Sequence, residues 1–79
     1  MSVFVTLSTT LRNFVPGYRA ADGLNLEVSG PTTAGDLAQR LNLPLSEIKI
    51  VMINGRRLEL ATPINDGDRV GYFPAVGGG

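Results

Sequence analysis

The sequence predicts an α+β protein, a mixed sheet of four to five strands curled over one main helix. Three observations carry that expectation. Short apolar runs flank a single helical stripe in the order β-β-α-β-β-β. The stripe opens on Thr33-Ala34-Gly35-Asp36, which fits the [ST]-x-x-[DE] signature of a helix N-terminus. Asn54-Gly55 marks a hairpin, because a type I′ turn needs positive φ at both central residues. At 79 residues the chain has room for one modest core.

In chain order, Val3-Phe4-Val5-Thr6-Leu7 reads as a strand, with Val3, Val5 and Leu7 on one face and Phe4 and Thr6 on the other. From Ser8 to Gly23 the pattern is weak. Ser8 or Thr9 is placed to cap a short helix with Leu11, Phe14 and Val15 at i, i+3 and i+4, stopped by Pro16-Gly17. The preferred reading of this stretch is a lid over an open edge of the core. Leu24-Asn25-Leu26-Glu27-Val28 alternates and should pair with the first strand as a long-looped hairpin. Ala34, Leu37, Ala38 and Leu41 then give the helix its core stripe. Gly35 costs roughly 1 kcal/mol there against alanine, which suggests a first turn lying close to the sheet. Asn42 before Leu43-Pro44 is a stop.

Ile48-Lys49-Ile50-Val51-Met52-Ile53 is the most apolar run and reads as a central strand. Arg56-Arg57-Leu58-Glu59-Leu60 is its return strand, charged as edges are. A turn region, Thr62 to Asp68, leads into the last strand, Arg69-Val70-Gly71-Tyr72-Phe73. Pairing should end at Pro74, which cannot extend a sheet interior. Residues 1–73 are therefore expected to form the body, and 74–79 a flexible glycine-rich tail.

Composition narrows the function classes. Hydrophobic content of 43% and charged content of 18% suit a globular chain. Seven basic and seven acidic side chains cancel, which argues against nucleic-acid and membrane partners. No long apolar run suggests a membrane span, and Met1-Ser2-Val3-Phe4-Val5-Thr6 lacks the basic flank and apolar core of a signal peptide, so a cytoplasmic location is expected. Without cysteine there is no thiol nucleophile or Cys-ligated metal. Without histidine the usual general base near neutral pH is missing too. Asp66 and Asp68 suit turn chemistry better than a metal site, and none is expected. Tyr18 and Tyr72 read as packing residues.

The sequence closes on Phe73-Pro74-Ala75-Val76-Gly77-Gly78-Gly79, read as a chain end with a free carboxylate. Three glycines satisfy no evident turn or cap. They do make a thin strand of backbone without Cβ atoms, able to carry the carboxylate into a narrow slot. Extended, Ala75 to Gly79 spans about 17 Å at ~3.3–3.6 Å per residue.

Asp66-Gly67-Asp68-Arg69-Val70 through Phe73-Pro74 and the glycine end resemble the ubiquitin-like sulfur carriers of the MoaD/ThiS family. The opening strand with Thr10-Leu11-Arg12, and the Val51-Met52-Ile53-Asn54-Gly55 hairpin, are similar to the same family. The resemblance spans nearly the whole chain. It implies a β-grasp (ubiquitin-like) fold and a carrier function, not a stand-alone enzyme, although such a chain also serves as the small subunit of a molybdopterin synthase-like enzyme. A ubiquitin-activating-type enzyme adenylates the terminal carboxylate with ATP, and a sulfur donor converts it to a thiocarboxylate. A downstream synthase large subunit or other acceptor then takes the sulfur. The reactive residue maps onto Gly79; Gly78 and Gly77 thread the slot. Phe-Pro resembles the molybdopterin-type ending, which is preferred, whereas Val-Gly-Gly-Gly also resembles thiamine-type tails.

A carboxylate is a poor electrophile, and adenylation gives it a leaving group that sulfur can displace. The chain shows no Gly-x-x-x-x-Gly-Lys-[Ser/Thr] loop, so ATP is expected to be used by the partner and no cofactor to be bound here. Docking needs a surface. On strict alternation with Lys49 solvated, Val51 and Ile53 face outward, and Phe4 and Phe73 join them as an apolar partner site beside the tail root; a bulge would instead bury Val51 and Ile53. Arg56, Arg57 and Arg69 read first as solvated charge, and alternatively as contacts to an acidic partner. A protein modifier conjugated through Gly79, and a plain interaction module with an inert tail, remain the alternative functions.

Overall fold

Val3, Val5 and Leu7 are buried while Phe4 and Thr6 are half-buried, the alternation of a strand with one face in the core. The computed structural model describes residues 1–75. Its five strands are β1 (Ser2–Leu7), β2 (Leu24–Glu27), β3 (Ile48–Ile53), β4 (Arg56–Leu58) and β5 (Arg69–Pro74), in the spatial order β2-β1-β5-β3-β4. β1 pairs antiparallel with β2 and parallel with β5. β3 pairs antiparallel with both β5 and β4. The sheet is mixed, as expected. The last strand lies at its centre and β4 at an edge.

Helix α1 (Ala34–Arg40) begins at the expected capping box. Thr33 Oγ1 accepts from the Asp36 backbone N–H at 3.0 Å, and Asp36 Oδ2 accepts from the Thr33 N–H at 3.0 Å. Such a cap contributes about 1 kcal/mol. Asn42, at φ 62°, ends the helix in the left-handed region. Ala34, Leu37 and Ala38 are fully buried and join Val3, Val5, Leu7, Val70 and Tyr72 in one core. Gly35 departs from expectation. Its N–H donates to Leu60 O at 2.7 Å, and a Cβ there would lie 3.2 Å from that oxygen. The close approach is to the backbone after β4, not to the sheet.

The Thr9–Phe14 stretch is a 3₁₀ helix, where the i, i+3, i+4 pattern suggested an ordinary helix. Its winding ends before Val15, which is extended, and Leu11 alone is buried. The segment is tied to the ends of β1 and β5. Ser8 N–H donates to Tyr72 O at 3.1 Å, Arg12 Nε to Leu7 O at 2.9 Å, and Leu7 N–H to the Tyr18 hydroxyl at 2.9 Å. This agrees with a lid. A 3₁₀ turn at Leu45–Glu47, which the sequence reading did not foresee, precedes β3.

The main correction lies in β3. Its register against β5 shifts between Ile48 and Ile50, so that Ile48 pairs with Pro74 and Ile50 with Phe73. That bulge breaks the parity from which Lys49 was used to orient the strand. Lys49 is exposed, yet Val51 and Ile53 are only 3% and 5% exposed and belong to the core. Val51 and Ile53 therefore do not line the open face, and the docking role expected of them is withdrawn.

Asn54 and Gly55 have φ of 53° and 80°, the two positive angles that their turn requires. The Asn54 side chain also ties this hairpin to the start of β5. Its Oδ1 accepts from Arg69 N–H at 2.9 Å, and its Nδ2 donates to Asp68 Oδ1 at 2.8 Å. Asp68 Oδ2 accepts from Asn65 N–H at 2.7 Å, and Asp66 Oδ1 from Ser2 N–H at 2.7 Å. In the Asp-Gly-Asp motif, Asp68 thus closes a backbone turn and Asp66 ties that turn to the start of β1.

Candidate functional site

The strands that send one set of side chains inward present the alternate set on the opposite face. Register places Phe4 and Thr6 of β1 beside Arg69 and Gly71 of β5. Gly71 and Phe73 lie in turn across from Met52 and Ile50 of β3. Phe73 is 37% exposed, one of two large apolar side chains so exposed among the described residues. Phe4, Thr6, Ile50 and Met52 are half-buried. A depression of about 160 Å³ opens among Phe4, Thr6, Met52, Arg69, Gly71 and Phe73.

Gly71 makes that depression possible. A Cβ on it would stand 3.1 Å from Thr6 Oγ1 and 3.4 Å from Phe73 Cε2. The missing side chain lets Thr6 and the Phe73 ring approach the backbone of β5, which forms part of the floor. Arg69 forms one wall, its guanidinium carbon 5.1 Å from the centroid of the Phe4 ring. Such a cation–π contact contributes about 0.5–1 kcal/mol when exposed and holds the charge over an apolar surface.

Phe4 and Phe73 thus share one face, as the sequence suggested, while Val51 and Ile53 lie on the other. The sequence reading missed Ile50, Met52 and Gly71. Arg57 pairs directly with Met52 across β3 and β4, which puts it on the open face; Arg56 pairs with Ile53. Gly77, Gly78 and Gly79 lie outside the described residues. Pro74 is the last residue of β5, half-buried, and Ala75 after it is exposed.

Tyr72 anchors the strand that leads to this end. It is fully buried, and its hydroxyl donates to Ala34 O at 2.6 Å, joining β5 to the first turn of α1. Burial pushes its pKa well above the ordinary tyrosine value, because the phenolate would be desolvated. Among the described residues no helix is long and apolar enough to cross a membrane.

The sequence matches the model of the Mut7-C ubiquitin family over residues 1–77. No curated protein matches it. Among solved structures, the chain is similar to SAMP1 from Haloferax volcanii, with a TM-score of 0.73, 22% identity and 100% of both chains covered. It is also similar to the HVO 2177 protein of the same organism, with a TM-score of 0.75, 28% identity, 100% of this chain covered and 87% of that one. The fold is the ubiquitin-like β-grasp, a mixed five-stranded sheet over one main helix.

Proposed function

Because the chain belongs to the Mut7-C ubiquitin family, we propose that it is a sulfur carrier whose reactive group is the Gly79 carboxylate. The observation that carries this reading is the placement of β5. The strand that leads to the glycines runs between β1 and β3 at the centre of the sheet and stops at Pro74. A central strand is fixed on both sides, so the body sets the point from which the last residues leave.

The chemistry divides between two proteins. An activating enzyme joins the carboxylate to AMP from ATP and releases pyrophosphate. Hydrosulfide from the sulfur donor then adds to the acyl carbon, its proton is lost and AMP leaves with one carboxylate oxygen, giving the thiocarboxylate. ATP belongs to the partner's site, and this chain supplies the reactant and a docking face around Phe4 and Phe73. Gly77 and Gly78 keep the approach narrow, since a Cβ on either would add bulk in the slot. Phe73-Pro74 supports a molybdopterin-type acceptor downstream, a synthase large subunit.

Intact mass tests the reading. After co-expression with an adenylating enzyme from the same genome and a sulfur source, the chain should exchange one oxygen for sulfur at Gly79, and deletion of Gly78-Gly79 should abolish the exchange. Conjugates to lysine amines with no thiocarboxylate would replace the carrier by a protein modifier.

A further inference from the structure

We propose that the open face receives an apolar side chain from an acidic segment of the partner, with Arg57 and Arg69 pairing with the flanking carboxylates. The chain carries no net charge, yet its charges are segregated on this face. On β1, β5, β3 and β4, the charged side chains that register places there are Arg69 and Arg57, both cationic. The one carboxylate that register adds to the face is Glu27, across from Ser2 on the far edge strand β2. Among the described residues the ion pair present joins Arg19 and Asp22, so neither arginine is neutralised by a carboxylate there.

Shape and charge then specify the same occupant. The Gly71 floor and the Phe4, Met52 and Phe73 walls suit one leucine- or phenylalanine-sized group entering about 160 Å³. Arg69 lines the depression with its guanidinium carbon over the Phe4 ring, so its charge stands beside the apolar group that would enter. A guanidinium so placed presents a fork of N–H donors that matches a carboxylate. A basic segment would instead meet Arg69 at the depression and Arg57 beside Met52 on the same face. The sequence reads these arginines first as solvated charge and alternatively as contacts to an acidic partner; their common face with the depression favours the second.

That the partner is the sulfur-activating enzyme rests on the carrier function proposed above, but the face can be tested without it. The probe is a blocked acidic peptide, a central Leu-Phe flanked on both sides by Glu and Asp, titrated into isotope-labelled protein. Saturable shifts should appear at the amides of Thr6, Met52, Gly71 and Phe73, weakening with added salt. Arg57→Gln with Arg69→Gln should reduce affinity about tenfold, from two exposed pairs of modest strength each. Gly71→Ala should block entry of the apolar group while Arg57 and Arg69 remain. A peptide with Lys in place of the acids should bind at least tenfold more weakly. Equal binding of the two peptides, shifts centred elsewhere, or no saturable shift at millimolar peptide would overturn the proposal. So would concentration-dependent self-association through these residues, which would make a second copy the occupant. Peptide binding without sulfur loading at Gly79 would count against the carrier function and leave the docking face standing.

Discussion

The two faces of this sheet come from the same strands, one residue apart, and they differ in what restrains them. The inner face, with Val5, Val51, Val70 and Tyr72, is packed beneath α1 and almost wholly removed from water. The outer face, with Phe4, Met52, Arg69 and Phe73, is half-open, carries cations that pair with no carboxylate among the described residues, and has a depression floored in part by Gly71. Burial makes the inner residues answerable to the fold. The outer face leaves Phe73 exposed beside the half-buried Phe4, Ile50 and Met52, so apolar surface there is only partly withdrawn from water. With the docking role proposed for the outer face, the comparison would separate what the chain needs to fold from what it offers a partner.

The largest effects should fall on the inner side. Leu37→Ala removes a fully buried side chain of α1 and leaves a cavity, so urea unfolding should show a loss of about 2–5 kcal/mol. A loss below about 1 kcal/mol would mean that the helix does not close the core. Asp68→Ala comes next. It strips partners from Asn65 N–H and Asn54 Nδ2 at a residue only 8% exposed, and about 1–3 kcal/mol should be lost. This change tests whether the Asp-Gly-Asp turn is structural. An unchanged midpoint would reopen a functional reading of that carboxylate.

Tyr72→Phe should cost roughly 1 kcal/mol, because Ala34 O loses its donor inside the core. It also carries a pH signature. The pKa of Tyr72 is raised on folding, from the ordinary value of 10.0, by burial. The folded state therefore keeps its proton where the unfolded chain loses it. That stabilisation is fully present below pH 10 and is lost as the pH rises above it, with a slope of up to about 1.4 kcal/mol per pH unit. Tyr72→Phe should remove this share of the alkaline slope. An identical slope in the variant would show that other groups govern alkaline unfolding.

Much of the fold was legible because its signals are local. The capping box at Thr33 and Asp36, the Asn54-Gly55 turn and the alternation of β1 each depend on residues a few positions apart. The orientation of β3 was not, because it was inferred from Lys49 alone, and a bulge of one residue reverses every side chain beyond it. A better signal stood in the hairpin. A two-residue Asn54-Gly55 loop sets Val51 across from Leu58 and Met52 across from Arg57, and the apolar pair is the one that belongs inside. Gly71 was invisible for another reason. A glycine inside a strand shows its value only through Thr6 and Phe73, one on a neighbouring strand far away in sequence and the other two residues along. The candidate site was thus half legible, its aromatic rings from the sequence and its floor from tertiary packing alone.

The smallest expected effect on stability is also the sharpest test of the two faces, and it uses neighbours in register. Phe73→Thr keeps a β-favouring residue on the outer face and removes a ring already 37% exposed, so stability should change by about 0.5 kcal/mol. Val51→Thr makes a smaller change of volume on the inner face, but it buries a hydroxyl among Tyr72, Leu58 and their neighbours and should cost about 1–3 kcal/mol. Function should order them the other way. Phe73→Thr should slow partner-dependent sulfur loading of Gly79 about tenfold through weaker docking, whereas Val51→Thr, assayed well below its melting temperature, should load at nearly the normal rate. Urea titration and timed intact mass on the same two variants give both orders. If Val51→Thr loads more slowly than Phe73→Thr while remaining folded, the partner reads the inner strand register, and the division of labour between the faces is wrong.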